Sequence, residues 1–256
     1  MFGFKRRRRQ RLRGRPFPPE WLALIARHVP YYHELTPPDQ DELRGHVQVF
    51  LAEKRFEGCG GQEITDEVRV TIAAQACLLL LHRETDYFPK METILVYPHG
   101  YFAQEARRLP GGVVVEGPTS RAGESWYRGP VVLAWDEVQR GAAGVHDGRN
   151  VVLHEFAHQL DSEWGGLEGA PALPQGAMYA DWARVLGREY QQLCDDVKHG
   201  RPTVLDGYGA KSPAEFFAVA TEAFFERAVA LRAHHPELYE QLRLYYQQDP
   251  EVRKRP

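Results

Sequence analysis

The chain has 256 residues, of which 43% are hydrophobic and 26% charged, so it can bury one sizeable core and has the composition of a globular protein. No apolar run approaches the roughly 18 residues that span a bilayer, and three scattered cysteines (Cys59, Cys77, Cys194) exclude a disulfide framework and a CxxC zinc knuckle, which favours a reducing cytoplasm. The net charge of −3 is uneven: residues 1–15 hold eight basic groups and no acid, leaving 24 basic against 35 acidic groups and a net of −11 in the other 241 residues, which argues against a nucleic-acid-binding core.

The basic start lacks the apolar stretch of a secretion signal. Like charges in a block repel and rarely fold alone, so residues 1–15 are expected to form a solvated, disordered tail; contact with an anionic membrane or nucleic acid is the functional alternative. Glu20 to His28 has helical spacing. Thr36-Pro-Pro-Asp opens a second helix with apolar Leu43, Val47, Phe50 and Leu51, and Phe56-Glu-Gly-Cys-Gly-Gly breaks it. Thr65 reads as an N-cap with acids in the first turn. It leads into Val68 to His82, apolar almost all round and therefore expected as a central buried helix. Ile94-Leu-Val-Tyr, Val113-Val-Val-Glu and Val131-Val-Leu-Ala then read as strands of a small sheet. Helices are expected again over 150–162, 178–197, 212–232 and 236–248. Helices, a small mixed sheet and more helices make an α+β fold.

The chemistry lies in Val151-Val-Leu-His-Glu-Phe-Ala-His-Gln-Leu-Asp161. On a helix, His154 and His158 fall on one face a turn apart, the spacing that lets two imidazoles bind one Zn²⁺. Glu155 then stands beside the metal without ligating it, placed to take a proton from an activated water and pass it to a leaving amine. The flanking residues are apolar, so this polar cluster points inward, which is costly unless it is paired or metal-bound.

A third ligand is needed. A metzincin would continue with glycine and histidine where Asp161 and Trp164 stand, so that class is excluded. A gluzincin takes a Glu from a later helix, and Tyr208-Gly-Ala-Lys-Ser-Pro-Ala-Glu-Phe-Phe-Ala-Val-Ala-Thr-Glu-Ala-Phe-Phe-Glu226 offers Glu215, Glu222 and Glu226. Ser212-Pro-Ala-Glu215 is also a capping box, in which Glu215 bonds only back to its cap. Glu215 and Glu222 share one face of an aromatic helix; one can ligate and the other can orient a ligand histidine, and spacing leaves the choice open.

His154-Glu-Phe-Ala-His-Gln-Leu-Asp161, with Tyr208 and Ser-Pro-Ala-Glu215-Phe-Phe-Ala, resembles the Mlc titration factor A (MtfA) family of bacterial zinc metallopeptidases, over about residues 18–250. More distantly it is similar to the catalytic domain of anthrax lethal factor. The resemblance implies His154, His158 and Glu215 as zinc ligands, Glu155 as general base and Tyr208 as the donor that stabilises the oxyanion. It selects Glu215 over Glu222. It implies a cytoplasmic, aminopeptidase-like enzyme and binding of the glucose-uptake repressor Mlc, which relieves repression of the glucose phosphotransferase system. It also implies a zincin-like (gluzincin) domain over 16–256, with an N-terminal helical part at 16–90 and the catalytic part at 91–256.

Asp161 shares the face of His154 and His158, so it either orients one of them or bonds locally. His82, His99, His146, His234 and His235 have no ligand spacing to the motif and are expected to make local hydrogen bonds. Trp126, Tyr127 and Trp135 bracket the Val131 strand. Core packing is their default, and a sheet edge lining the cleft is the functional version, with Gly129 and Pro130 fitting an edge. Two functions stay open: an active zinc peptidase, and an interaction protein that sequesters a transcriptional repressor with zinc in a structural role. Intact Glu155 and Tyr208 favour catalysis, since a structural site needs neither.

Overall fold

The computed structural model describes residues 2–108, 114–121, 123–125, 129–143, 147–163 and 166–253. Two of its early helices begin where the Thr caps predict. Thr36 Oγ1 accepts the Asp39 amide at the head of α4 (Pro37–Glu53), and Thr65 Oγ1 accepts that of Val68 at the head of α5 (Asp66–Leu78). Almost every residue of α5 is buried, as its all-round apolar sequence requires. It runs through the core between α2 (Pro19–His28), α4 and α7 (Val151–Ser162).

Three parallel strands, β1 (Arg55–Gly58), β2 (Thr93–Tyr97) and β6 (Val131–Ala134), are joined by the antiparallel β5 (Gly123–Ser125) in the order β1-β2-β6-β5. β3 (Tyr101–Arg108) and β4 (Val114–Arg121) form a separate antiparallel pair. The chain is therefore helix-rich α+β with a small mixed sheet. Two sequence expectations need correction here. Phe56-Glu-Gly does not only break a helix: it is an edge strand, in register with Ile94 to Val96. The Val131 strand is not an edge, because β5 pairs with its outer side. For Trp135 the default reading, core packing, holds. It opens α6 (Trp135–Ala143) and packs, partly buried, on the core. Trp126, Tyr127, His146 and Trp164 lie outside the described residues.

A further difference lies at the N-terminus, where Phe2–Arg13 form helix α1 rather than a disordered tail. Charge repulsion is offset by acids distant in sequence. Arg9 makes a two-pronged contact with Glu53 at 2.8–3.2 Å, reaches Asp86, and lies 4.6 Å from the centre of the Tyr87 ring. Leu12 is buried in the core, and α1 packs along α4.

The C-terminal half comprises α8 (Met178–Lys198), a 3₁₀ turn (Gly207–Lys211), α9 (Pro213–Glu226), α10 (Ala228–His234), α11 (Pro236–Tyr246) and α12 (Pro250–Arg253). The helix expected over 212–232 is two helices, parted at Arg227, whose backbone is non-helical. α7 packs lengthwise on α9, and aromatic clusters clamp the outer side of each. Phe156 meets Phe88 at 4.8 Å and Phe50 at 5.7 Å between ring centres, while Phe217 meets Trp182 at 5.8 Å and Tyr245 at 5.9 Å. Close-packed aromatics on both outer sides make the α7–α9 seam rigid.

Candidate metal centre

The seam carries the polar cluster. Asn150 Oδ1 caps α7 by accepting the Leu153 amide at 3.0 Å, and α9 begins at Ser212, whose Oγ accepts the Glu215 amide at 3.2 Å. This is half of the capping box. The Glu215 carboxylate does not return to its cap but crosses the seam. Its Oε2 lies 3.0 Å from His154 Nε2 and 3.3 Å from His158 Nε2. One donor atom from each of these three residues lies within 4.8 Å of the others. Ligands at 2.0–2.1 Å on tetrahedral axes sit about 3.3 Å apart, and both Glu215–histidine separations match that spacing.

Glu222 lies two turns further along α9 and reaches the other side of the same histidine. Its Oε1 is 2.6 Å from His154 Nδ1, and its Oε2 accepts the Asn150 amide at 2.6 Å. A carboxylate on Nδ1 makes that nitrogen a donor, so Nε2 is the nitrogen that would ligate a metal once its own proton has left. Burial disfavours charge on His154, but Glu222 and Glu215 outweigh it and hold the imidazolium well above the ordinary histidine range. Burial likewise works to raise Glu215, yet the two histidines hold it well below the usual carboxylate range.

Glu155 is buried, and its Oε2 has no hydrogen-bond partner among the described residues. Burial pushes its carboxyl up to about 7, against the pull of His154 and His158. Tyr208 is 45% exposed and meets the His154 ring edge-on, 5.9 Å between centres. Asp161 takes the local option: its two oxygens accept the Gly169 and Ala170 amides at 2.8 Å, pinning the loop after α7, and they make no bond to either histidine among the described residues. His82, His99 and His235 make hydrogen bonds away from the cluster, but to the sequence-distant carboxylates of Asp39, Asp136 and Glu189 rather than to local groups.

The spacing arguments missed a buried polar layer beneath the cluster. Asn150 Nδ2 donates to Gln75 Oε1 of α5 at 2.8 Å, and Glu226 receives the hydroxyl of Tyr31, from α3 (Tyr31–Glu34). The sequence held two signals for it: an Asn just before an apolar helix and a lone Gln inside the apolar run of α5.

The sequence profile of glucose-regulated metallo-peptidase M90 matches residues 4–247. An uncharacterized protein of Synechocystis sp. is 43% identical over 95% of this chain and 89% of its own. The Mlc titration factor A of Klebsiella pneumoniae (strain 342) is 30% identical over 90% of this chain and 86% of its own, and that of Escherichia fergusonii 29% over 94% and 91%. Similarity that runs from α1 through α11, across both helices of the His–Glu cluster, means that the chain belongs to the glucose-regulated metallo-peptidase M90 family, alongside the proteins named Mlc titration factor A.

Proposed function

We propose that the chain is a zinc-dependent peptidase of the zincin-like, gluzincin type, in which His154, His158 and Glu215 hold the metal. The observation that carries the reading is the His154–His158–Glu215 triangle, with Glu155 beside it and a buried Glu155 oxygen that has no partner among the described residues. Bound there, zinc would supply Lewis-acid polarisation of the scissile carbonyl and acidify a water to a pKa of about 7. Glu155 would accept the proton of the attacking water as a C–O bond forms at the carbonyl carbon, and would return it to the amine nitrogen as the C–N bond breaks. A buried carboxylate with an oxygen unpartnered among the described residues can both accept and return a proton. Tyr208 donates its phenol proton in a hydrogen bond to the oxyanion. Glu222 keeps His154 in the ligating tautomer. β5, the outermost strand on the side facing α7, offers main-chain groups to an extended peptide.

The domain reading is one unit over 16–256, helical over 16–90 and catalytic over 91–256, with α1 docked on it. A cytoplasmic setting fits three unpaired cysteines, one of them fully buried. Among the described residues, no helix is long and apolar enough to cross a membrane. The specificity that we infer is aminopeptidase-like. The test is metal analysis of the purified protein together with hydrolysis of amino-acid anilides, with and without a chelator. About one zinc per chain and chelator-sensitive turnover support the reading; stoichiometric zinc without turnover of any anilide or peptide overturns the catalytic part.

The name of the relatives favours a second activity: binding of an Mlc-type repressor. Such binding would sequester the repressor, with or without peptidase activity. Co-elution of Glu155→Gln protein with a purified Mlc-type repressor on gel filtration tests it apart from catalysis.

A further inference from the structure

Tyr208 stands between Gly207 and Gly209 in the 3₁₀ turn. Its side chain is half exposed, and its ring meets that of His154 edge-on at 5.9 Å between centres. Added Cβ atoms would meet Val197 at 3.1 Å and Leu193 at 3.0 Å, so both glycines let the turn lie close on α8. The same glycines leave the backbone around Tyr208 intrinsically loose.

Asp206 counters this looseness from both carboxylate oxygens. Its Oδ1 accepts the Tyr208 amide at 2.9 Å, and its Oδ2 receives Arg149 through Nη2 at 2.7 Å and Nε at 2.9 Å. Arg149 directly precedes Asn150, the N-cap of the helix that bears His154, Glu155 and His158. One carboxylate therefore ties the Tyr208 turn to the head of the metal-binding helix. From the other side, Lys211 Nζ lies 3.7 Å from the centre of the Tyr208 ring. The Arg149 side chain is 77% exposed, and an ion pair so open to water adds little stability. What the pair fixes is a direction.

We propose that Asp206, latched by Arg149, is a positioning residue that holds the Tyr208 hydroxyl at the oxyanion side of the cleft. The proposal rests on the reading of Tyr208 as oxyanion donor. A donor displaced by a fraction of an ångström still binds substrate but loses its hold on the transition state, so kcat falls and KM does not.

The experiment measures kcat and KM on an amino-acid anilide for Arg149→Gln, Asp206→Asn and Asp206→Ala, each alone and combined with Tyr208→Phe. Metal content, Tm and amide hydrogen exchange over 207–211 accompany it. Asp206→Ala is expected to lower kcat about 10- to 100-fold with KM changed less than about two-fold, and Arg149→Gln to lower it less. Asp206→Asn keeps an acceptor for the Tyr208 amide and lacks the charge, so it falls between them. Exchange over 207–211 speeds up in the metal-free Asp206→Ala protein, while the amides of α7 and α9 stay protected. In the Tyr208→Phe background the same substitutions cost less than about two-fold, because the residue through which they act is already disabled. If Tyr208→Phe lowers kcat and the Asp206 losses simply multiply with it, the latch acts elsewhere and the proposal is overturned while the donor reading stands. If Tyr208→Phe turns over at the full rate, the donor reading fails, and the proposal with it.

Discussion

His154 is held from both ring nitrogens: its Nδ1 lies 2.6 Å from Glu222 Oε1, and its Nε2 lies 3.0 Å from Glu215 Oε2. Two carboxylates of one helix thus take different jobs on one imidazole. Glu215 also reaches His158, whereas Glu222 turns its second oxygen to the Asn150 amide.

That division predicts different metal phenotypes. Glu215→Ala removes a ligand and should leave the protein unable to retain zinc through dialysis. Glu222→Ala removes only the orienting partner and should weaken zinc binding about 10- to 100-fold. It also strands the buried Asn150 amide, at a cost of about 1–3 kcal/mol in stability. Competition with a calibrated chelator and thermal unfolding measure both. Stoichiometric zinc in Glu215→Ala, together with its loss from Glu222→Ala, would reverse the assignments.

Glu155→Gln keeps the shape of the buried side chain and removes its basicity. Zinc content should match the parent protein, with anilide hydrolysis lower by about 10²–10⁴-fold. Near-parental turnover would take Glu155 out of the mechanism.

Tyr208→Phe keeps the ring against His154 and removes the hydroxyl. Metal content and Tm should hold, and kcat should fall by up to about 10²–10³-fold, the loss typical of one oxyanion donor. A loss confined to KM would instead make Tyr208 a ground-state contact.

Much of this site is legible in the sequence because its signals are local. The four-residue spacing of His154 and His158, the Ser212 cap and the apolar run of α5 each act within a few turns of chain. What was not legible depends on distant partners. Glu215 and Glu222 share a helix face, and only the crossing of α9 over α7 shows which nitrogen each one meets. β1 ends in a glycine and gains its stability from pairing with β2, so its residues read as a break. β6 looked like an edge because its outer neighbour, Gly123–Ser125, has no apolar pattern of its own. Asp161 shares the histidine face, but the amides of Gly169 and Ala170 claim its oxygens first.

Helix α1 gives the sharpest contrast between charge pattern and structure. As a solvated tail, its deletion would leave stability untouched. In the folded protein Arg9 grips Glu53 and Asp86, Leu12 enters the core, and Gln48 holds the Arg15 and Pro16 carbonyls at 3.2 Å. One buried leucine and a two-pronged ion pair amount to about 2–4 kcal/mol, so deleting residues 2–15 should lower Tm by roughly 5–15 °C. The effect should depend on pH in a definite direction. Burial works to raise Glu53 and Asp86, but Arg9 and its neighbours outweigh it and hold both carboxyls below their ordinary values of 4.5 and 3.8. A carboxyl lowered on folding stabilises the protein above its unfolded value, and that contribution is lost as pH falls through its folded value. The Tm gap between the full chain and the deletion should therefore be constant near neutrality and narrow in acid, below those two values. High salt should narrow it only in part, because Leu12 and the partly buried Arg9 contact are not screened. Equal melting temperatures at pH 7 would return residues 1–15 to the status of a tail that merely rests on the surface. A gap that widened in acid would show that Arg9 and its carboxylates are not what docks the helix.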